Sequence, residues 1–285
     1  MPKIAGYELH TIETGRFGLD GGAMFGIVPK PLWSRHIPAD DQNRIPMNMR
    51  CLLLVGNGRV ILVDTGLGDK YDAKFAQIFN IQQEHSELRR SLAAVGLSVE
   101  EVTDVVPSHL HFDHAGGMTT RKGDALTTTF PNARYHVQKT HWEWAMGKPN
   151  ARERNSFLAE NLEPLAQSGQ MNLIEGDQEL FPGVFTWNSD GHTPAMQMIK
   201  VTDGAQTVLF TADVLPTSAH MPTVWGMGYD LDPLKMIDEK AHVLKLAAEN
   251  NWQIFYDHDP FVEISDVHLT ERGFVPAHKR SLAEL

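Results

Sequence analysis

The sequence predicts an α/β protein built on mixed sheets with helices packed outside them. Short runs of β-branched and aliphatic residues alternate with longer stretches of helical periodicity. Two pairs of strand-like runs are joined by tight turns of Gly, Asn or Asp, so part of the pairing is antiparallel. No low-complexity tract, Pro/Ser-rich linker or short repeat divides the 285 residues, which are read as a single domain, 1–285.

In chain order, residues 4–12 and 23–28 read as strands. Residues 30–49 read as a polar, irregular stretch whose length suits a binding loop or lid. The runs at 51–55 and 59–64 flank Gly56-Asn57-Gly58, residues that tolerate positive φ, and so form a hairpin. Its second strand ends on Asp64-Thr65-Gly66. Residues 88–95 carry a helical apolar pattern closed by Gly96, Ser98 with Glu101 resembles a capping box, and 105–108 is a short buried strand. Further on, 134–138 alternates as a strand and 154–167 reads as a helix closed by Ser168-Gly169. Strands follow at 184–188, 196–201 and 207–210, the last two joined around Asp203-Gly204. Asp232-Pro233 caps a long helix whose apolar face is traced by Leu234, Ile237, Ala241, Leu244 and Ala248. A last strand, 253–257, ends on His258.

Composition narrows the function classes. Hydrophobic residues at 42% and charged residues at 21% suit a folded, soluble chain. A formal net charge of -11 repels a phosphate backbone at long range, so nucleic acid is a disfavoured partner. There is no apolar signal region after Lys3 and no run approaching eighteen apolar residues, which points to a cytoplasmic protein with no membrane partner. The lone cysteine, Cys51, lies in an apolar run and reads as a buried, inert thiol.

Fourteen histidines are too many to weigh one by one, so spacing decides. Ser108-His109-Leu110-His111-Phe112-Asp113-His114 puts three imidazoles and a carboxylate behind a strand. Extended backbone places His109 and His111 on one side, and a turn can bring Asp113 and His114 round as a second cluster. Four donors cannot complete two metal sites, so further donors are expected at strand ends. His192 lies in the turn Gly191-His192-Thr193-Pro194, and Asp213 and His258 each follow a strand.

This set resembles the metallo-β-lactamase superfamily over residues 64–258. The resemblance implies an αβ/βα sandwich of two mixed β-sheets flanked by helices. It also implies two divalent ions, one held by His109, His111 and His192, the other by Asp113, His114 and His258, with Asp213 bridging and Asp64 supporting a ligand from behind. Imidazole and carboxylate suit Zn2+ best and also accept Fe, Mn or Co. Such a pair generates hydroxide near neutral pH and polarises a carbonyl, so hydrolysis is the expected chemistry, with Asp113 and Asp213 as catalytic carboxylates.

Residues 19–26, 212–220 and 227–230 resemble the YtnP-like branch, which includes quorum-quenching N-acyl-homoserine lactonases and is related to methyl parathion hydrolase. That likeness implies a small lactone or ester substrate, opened by hydroxide generated at the metals, and a homodimer. Many lactonases of this branch have a tyrosine three residues after the bridging Asp; here the position is Pro216. His220 and Tyr229 are the candidates to replace it, and Met24, Phe25, Trp33, Trp225 and Met227 are candidates for an apolar cleft that takes an acyl chain. Two other readings compete: hydrolysis of phosphotriesters or other esters, and a metal-binding protein without catalysis.

Overall fold

Strand and turn chemistry lay out the chain in a computed structural model that describes residues 1–82, 87–147 and 149–285. Strands β1 (Lys3–Ile4), β2 (Tyr7–Asp20), β3 (Arg44–Gly56), β4 (Arg59–Val63) and β5 (Asp104–Val106) are followed by a separate hairpin, β6 (Thr119–Lys122) and β7 (Ala125–Thr128), then β8 (Arg134–Gln138) and β9 (Met171–Ile174). The rest are β10 (Gln178–Phe181), β11 (Val184–Ser189), β12 (Met196–Thr202), β13 (Thr207–Phe210), β14 (Gln253–Phe255), β15 (Ile264–Thr270) and β16 (Gly273–Arg280). They make two seven-stranded sheets, ordered β1-β2-β3-β4-β5-β8-β9 and β10-β11-β12-β13-β14-β15-β16. Both are mixed: β3–β4 and β11–β12 are antiparallel, whereas β4–β5 and β13–β14 are parallel.

The helices are α1 (Gly21–Phe25), α2 (Lys30–Trp33), α3 (Ala73–Ile78), α4 (Glu87–Ala94), α5 (Phe112–Ala115), α6 (Lys139–Met146), α7 (Ala159–Ser168) and α8 (Pro233–Asn250). Contacts divide the chain into two compact units. The first holds Met1–Ala5, Phe17–Asn48 and Asp177–Leu285, and the second Gly6–Arg16 and Met49–Gly176.

In the second unit, Leu53 and Leu62 of the hairpin meet Leu92 of α4, Val105 of β5, Tyr135 and Val137 of β8, and Leu162 and Leu165 of α7 in one buried core. Burying each such side chain contributes roughly 1.5–3 kcal/mol. The expected β3–β4 hairpin forms with a two-residue loop, Asn57 at φ 50 and Gly58 at φ 72, because Gly56 joins β3 and pairs with Arg59. In the first unit, α8 packs on β15, and Asp232 caps it by accepting from Lys235 N at 3.0 Å.

Several elements depart from the sequence reading. Residues 23–28 do not extend as a strand, because the Asp20 side chain accepts from Ala23 N at 2.8 Å and starts α1, which Gly26 ends at φ 56. The stretch expected to be irregular contains α2 and the first residues of β3. The helix expected from 154 begins only at Ala159, since the Asn150 side chain accepts from Arg152 and Glu153 N and holds a turn there. Along α8 the buried residues are Met236, Lys240, Val243, Leu244 and Ala247, while Leu234 is 76% exposed. The true face runs through Lys240, whose Nζ donates to His220 O at 3.2 Å and Trp225 O at 2.6 Å. Burial pushes this lysine down to about 8. The hairpins β6–β7 and β15–β16 and the strands β9 and β10 were not anticipated.

Candidate metal centre

In the second unit the donors follow β5. Asp64 ends β4 at φ 59, a conformation rarely taken by a non-glycine residue, and the loop after it lies against the chain beyond His114. Thr65 N donates to His114 O at 2.8 Å, and Gly66 bridges Ala115. A Cβ on Gly116 would lie 2.0 Å from Leu67 O, and one on Gly117 2.2 Å from Thr65 O, so this approach requires the two glycines. Lys70 ties the same loop down by donating to Gly116 O at 2.5 Å and Thr119 O at 2.7 Å; burial pushes it down to about 8.

Held this way, His109 Nε2 and His111 Nδ1 stand 3.0 Å apart. The outer nitrogen of His111, Nε2, meets Glu153 Oε1 at 3.0 Å, and His109 Nδ1 meets Ser108 Oγ at 3.1 Å. His114 turns Nδ1 onto Asp64 Oδ2 at 2.9 Å and points Nε2 the other way, 3.7 Å from Asp113 Oδ2. Asp64 is itself fixed, accepting from Ser108 N at 2.6 Å and Ser108 Oγ at 2.8 Å. His141 Nε2 accepts from Leu110 N at 2.9 Å and pins the backbone between the two histidines. All of these groups are buried.

The first unit carries the remaining donors. His192 Nε2 lies 3.1 Å from Asp213 Oδ2, and its Nδ1 lies 3.0 Å from Asp230 Oδ1. His258 Nε2 lies 3.4 Å from Asp213 Oδ1, and its Nδ1 donates to Asn48 O at 2.8 Å. Asp213, Asp257 and His258 each bring a ligating atom within 4.8 Å of the others. The short 3-10 turn Ala212–Val214 presents Asp213, with Ala212 at φ 46.

The donor chemistry fits divalent ions. In His114, His192 and His258 the outer ring nitrogen is engaged by a carboxylate or a backbone carbonyl, and the inner one is left facing other donors. A neutral imidazole held in one tautomer is what metal ligation requires.

The other anticipated residues lie elsewhere. His220 is fully buried, with Nδ1 2.7 Å from Thr217 Oγ1 and Nε2 donating to Met24 O at 2.9 Å. Burial pushes it down to about 3, so it is neutral and its ring stacks on Phe25 at 4.5 Å. Both ring nitrogens have partners within the fold, Thr217 and the Met24 carbonyl. Tyr229 is 40% exposed. Met24, Phe25, Trp33 and Met227 are buried, and Phe25 stacks on Trp33 at 5.3 Å and meets Trp225 edge-on at 5.9 Å. These side chains pack on one another, with Trp225 half-buried at their margin.

Sequence reasoning missed Glu153, Asp230, Asp257 and His141. It also missed the aromatic group in which Phe112, between the metal-motif residues His111 and Asp113, lies 5.2 Å from both Phe75 and Phe79. Beside Phe75 is a cavity of about 500 Å3 lined by Leu67, Lys70, Tyr71, Ile78 and Leu158 among others.

Two mixed sheets with helices, and strand-end imidazoles paired with carboxylates, define the class as a metallo-hydrolase. The chain belongs to the metallo-beta-lactamase superfamily, whose pattern matches residues 47–258. It is 31% identical over 224 residues to an N-acyl homoserine lactonase of a Bacillus species, covering 73% of this chain and 80% of that one. To the N-acyl homoserine lactonase of Bacillus thuringiensis it is 28% identical over 220 residues, with the same coverage. Among solved structures, a probable metal-dependent hydrolase from Staphylococcus aureus superposes with a TM-score of 0.87 at 27% identity, over 98% of this chain and 100% of that one. AidC, a dizinc quorum-quenching lactonase solved with the product N-hexnoyl-L-homoserine, shares the fold with a TM-score of 0.81 at 20% identity, over 99% and 97% of the chains. No helix among the described residues is long and apolar enough to cross a membrane.

Proposed function

We propose that the chain is a lactonase that uses two divalent ions to open N-acyl-homoserine lactones. His109, His111 and His192 would hold one ion and Asp113, His114 and His258 the other, with Asp213 shared between them as the family resemblance implies and Asp257 as an additional donor beside His258. The observation that carries this reading is the pinning of outer imidazole nitrogens by Glu153, Asp64, Asp230 and the Asn48 carbonyl. Zinc is the metal best suited to this set.

A pair of divalent ions supplies hydroxide at neutral pH and a Lewis acid for the carbonyl oxygen. The protein's part is to hold that chemistry in place. Glu153 and Asp64 keep His111 and His114 in the ligating tautomer, and the buried setting excludes bulk water. As the ester C–O bond breaks, the departing ring oxygen takes up a proton; Asp113 and Asp213 are the carboxylates placed to carry it. With Pro216 where a tyrosine is common in the branch, and with His220 committed, carbonyl polarisation is left to the metals, and Tyr229 remains as the exposed hydroxyl to test. The acyl chain lies along Phe112, Phe75 and the apolar part of the cavity beside them, formed by Leu67, Ile78 and Leu158, with Lys70, Lys74 and Arg121 as the cationic groups of its lining. A neutral lactone needs no electrostatic steering past the acidic surface. The same reading takes the protein as a cytoplasmic homodimer acting on a small molecule, with no nucleic-acid or membrane partner.

Elemental analysis together with a pH-indicator assay of ring opening, on wild type and Asp113→Ala, tests the proposal. About two metals per chain, with lactone turnover lost in the variant, supports it. Two metals without lactone turnover but with turnover of paraoxon transfers the activity to phosphotriesters. A chain that holds no metal when purified without chelators refutes it.

A further inference from the structure

We propose that Asp266, His268 and His278 form a separate surface site for a transition-metal ion on the last hairpin, distinct from the donor sets above. Asp266 and His268 lie two residues apart on β15, so both side chains project from one face of the strand. His278 is on β16, which ends the sheet order. In regular pairing, with Asp266 opposite Ala277, the residue next along would point to the opposite face. The register shifts there: Ile264 pairs with Arg280, so Lys279 and His278 together face the single residue Ser265. His278 sits in this bulge at φ 46. A bulge re-aims a side chain, and this one turns the imidazole onto the Asp266 face.

The result is an Asp-His-His cluster whose ligating atoms all lie within 4.8 Å of one another. His278 Nδ1 is 2.6 Å from Asp266 Oδ2, and the two imidazole rings stand 5.3 Å apart at 83°. Arg280 donates to the other carboxylate oxygen, Oδ1, at 3.2 Å and to Gln253 Oε1 at 2.6 Å. It orients Asp266 from behind and leaves Oδ2 on the histidine side, as a supporting hydrogen bond does for a ligating carboxylate. Both histidines are exposed, so an ion can enter from solvent and complete its shell with water. Two imidazoles and one carboxylate select Cu2+, Ni2+ or Zn2+ over Mg2+ or Ca2+, with Cu2+ the tightest by the usual order of divalent affinities. A bound ion joins β15 to β16 at a free sheet edge.

The test is a titration of the metal-loaded protein with CuCl2, followed by desalting, copper analysis and electron paramagnetic resonance. Wild type is expected to take up one copper per chain that the double variant His268→Gln, His278→Asn does not. Its spectrum should show coupling to two imidazole nitrogens. Asn is chosen at 278 because it tolerates the left-handed backbone there. His268→Gln alone should lose one nitrogen coupling and bind on the order of tenfold or more weakly. Equal copper uptake and identical spectra in wild type and double variant, or no copper on the wild type, would overturn the proposal and leave Arg280, Asp266 and His278 as an ion-pair network alone.

Discussion

Glu153 gives the sharpest test of how the metal centre is held. Its two oxygens each take one donor: Oε1 faces His111 Nε2 at 3.0 Å, and Oε2 accepts from the Trp144 indole Nε1 at 2.8 Å. Both donors are N–H groups when His111 is in the tautomer that leaves Nδ1 for the ion. Glu153→Gln keeps the shape but offers one acceptor oxygen and one NH2. Either orientation of that amide sets a donor against a donor, at His111 or at Trp144. The site is buried, so an unmet donor costs about 1–3 kcal/mol. Loss of such a supporting hydrogen bond lowers metal affinity roughly 10–100-fold, equivalent to about 1.4–2.8 kcal/mol. Competition with a zinc-binding indicator measures the affinity, and unfolding of chelator-treated protein measures whether the apo fold is affected. A Gln variant that binds zinc as tightly as wild type would refute the claim that Glu153 fixes the tautomer. So would a variant whose whole deficit appears in the chelator-treated protein.

Three further outcomes are expected. Asp213→Asn should bring metal content below two per chain in elemental analysis and abolish ring opening together with it, because this carboxylate faces both His192 and His258. Phe112→Ala should lower stability by about 3 kcal/mol, as large-to-small changes in a packed aromatic group do, and should raise KM for long-chain lactones more than for short-chain ones in the indicator assay. His220 governs acid stability. Its folded value of about 3 lies below the ordinary 6.5, so on acidification the unfolded chain takes up this proton first. The stabilisation is therefore intact above pH 6.5 and lost as pH falls towards 3, by up to about 1.4 kcal/mol per pH unit within that window. Denaturant titrations of chelator-treated protein at pH 7, 5.5 and 4.5 should show a steeper loss of stability in wild type than in His220→Gln; equal slopes would sink the assignment.

The candidate metal donors stand out in the sequence because ligation imposes local spacing. His109, His111, Asp113 and His114 fall within six residues after a strand, and His192, Asp213 and His258 each follow a recognisable strand or turn. Asp64 was legible for a related reason, since Asp-Thr-Gly closes a hairpin strand. Glu153 and Asp230 left no such trace. They stand 42 and 38 residues from the histidines they hold, and their own neighbourhoods are irregular, so only tertiary structure pairs them. The hairpin β15–β16 was missed because its exposed residues lack clean apolar alternation. Residues 23–28 were misread because their apolar run carries no sign that Asp20 caps a helix just before it.

The two remaining misreadings share one physical cause. Sequence patterns sort residues by polarity, whereas burial depends on what each residue meets. Lys240 reads as polar and shifts the expected face of α8, yet its ammonium group finds two backbone carbonyls and its stem lies inside. Met24, Phe25 and Trp33 read as a cleft wall near a functional loop, and in the fold Phe25 takes Trp33 and His220 as stacking partners, which buries them together. The desolvated His220 is what completes that stack. A ring held neutral by burial can pack flat on Phe25, and protonating it would place a charge in a desolvated setting.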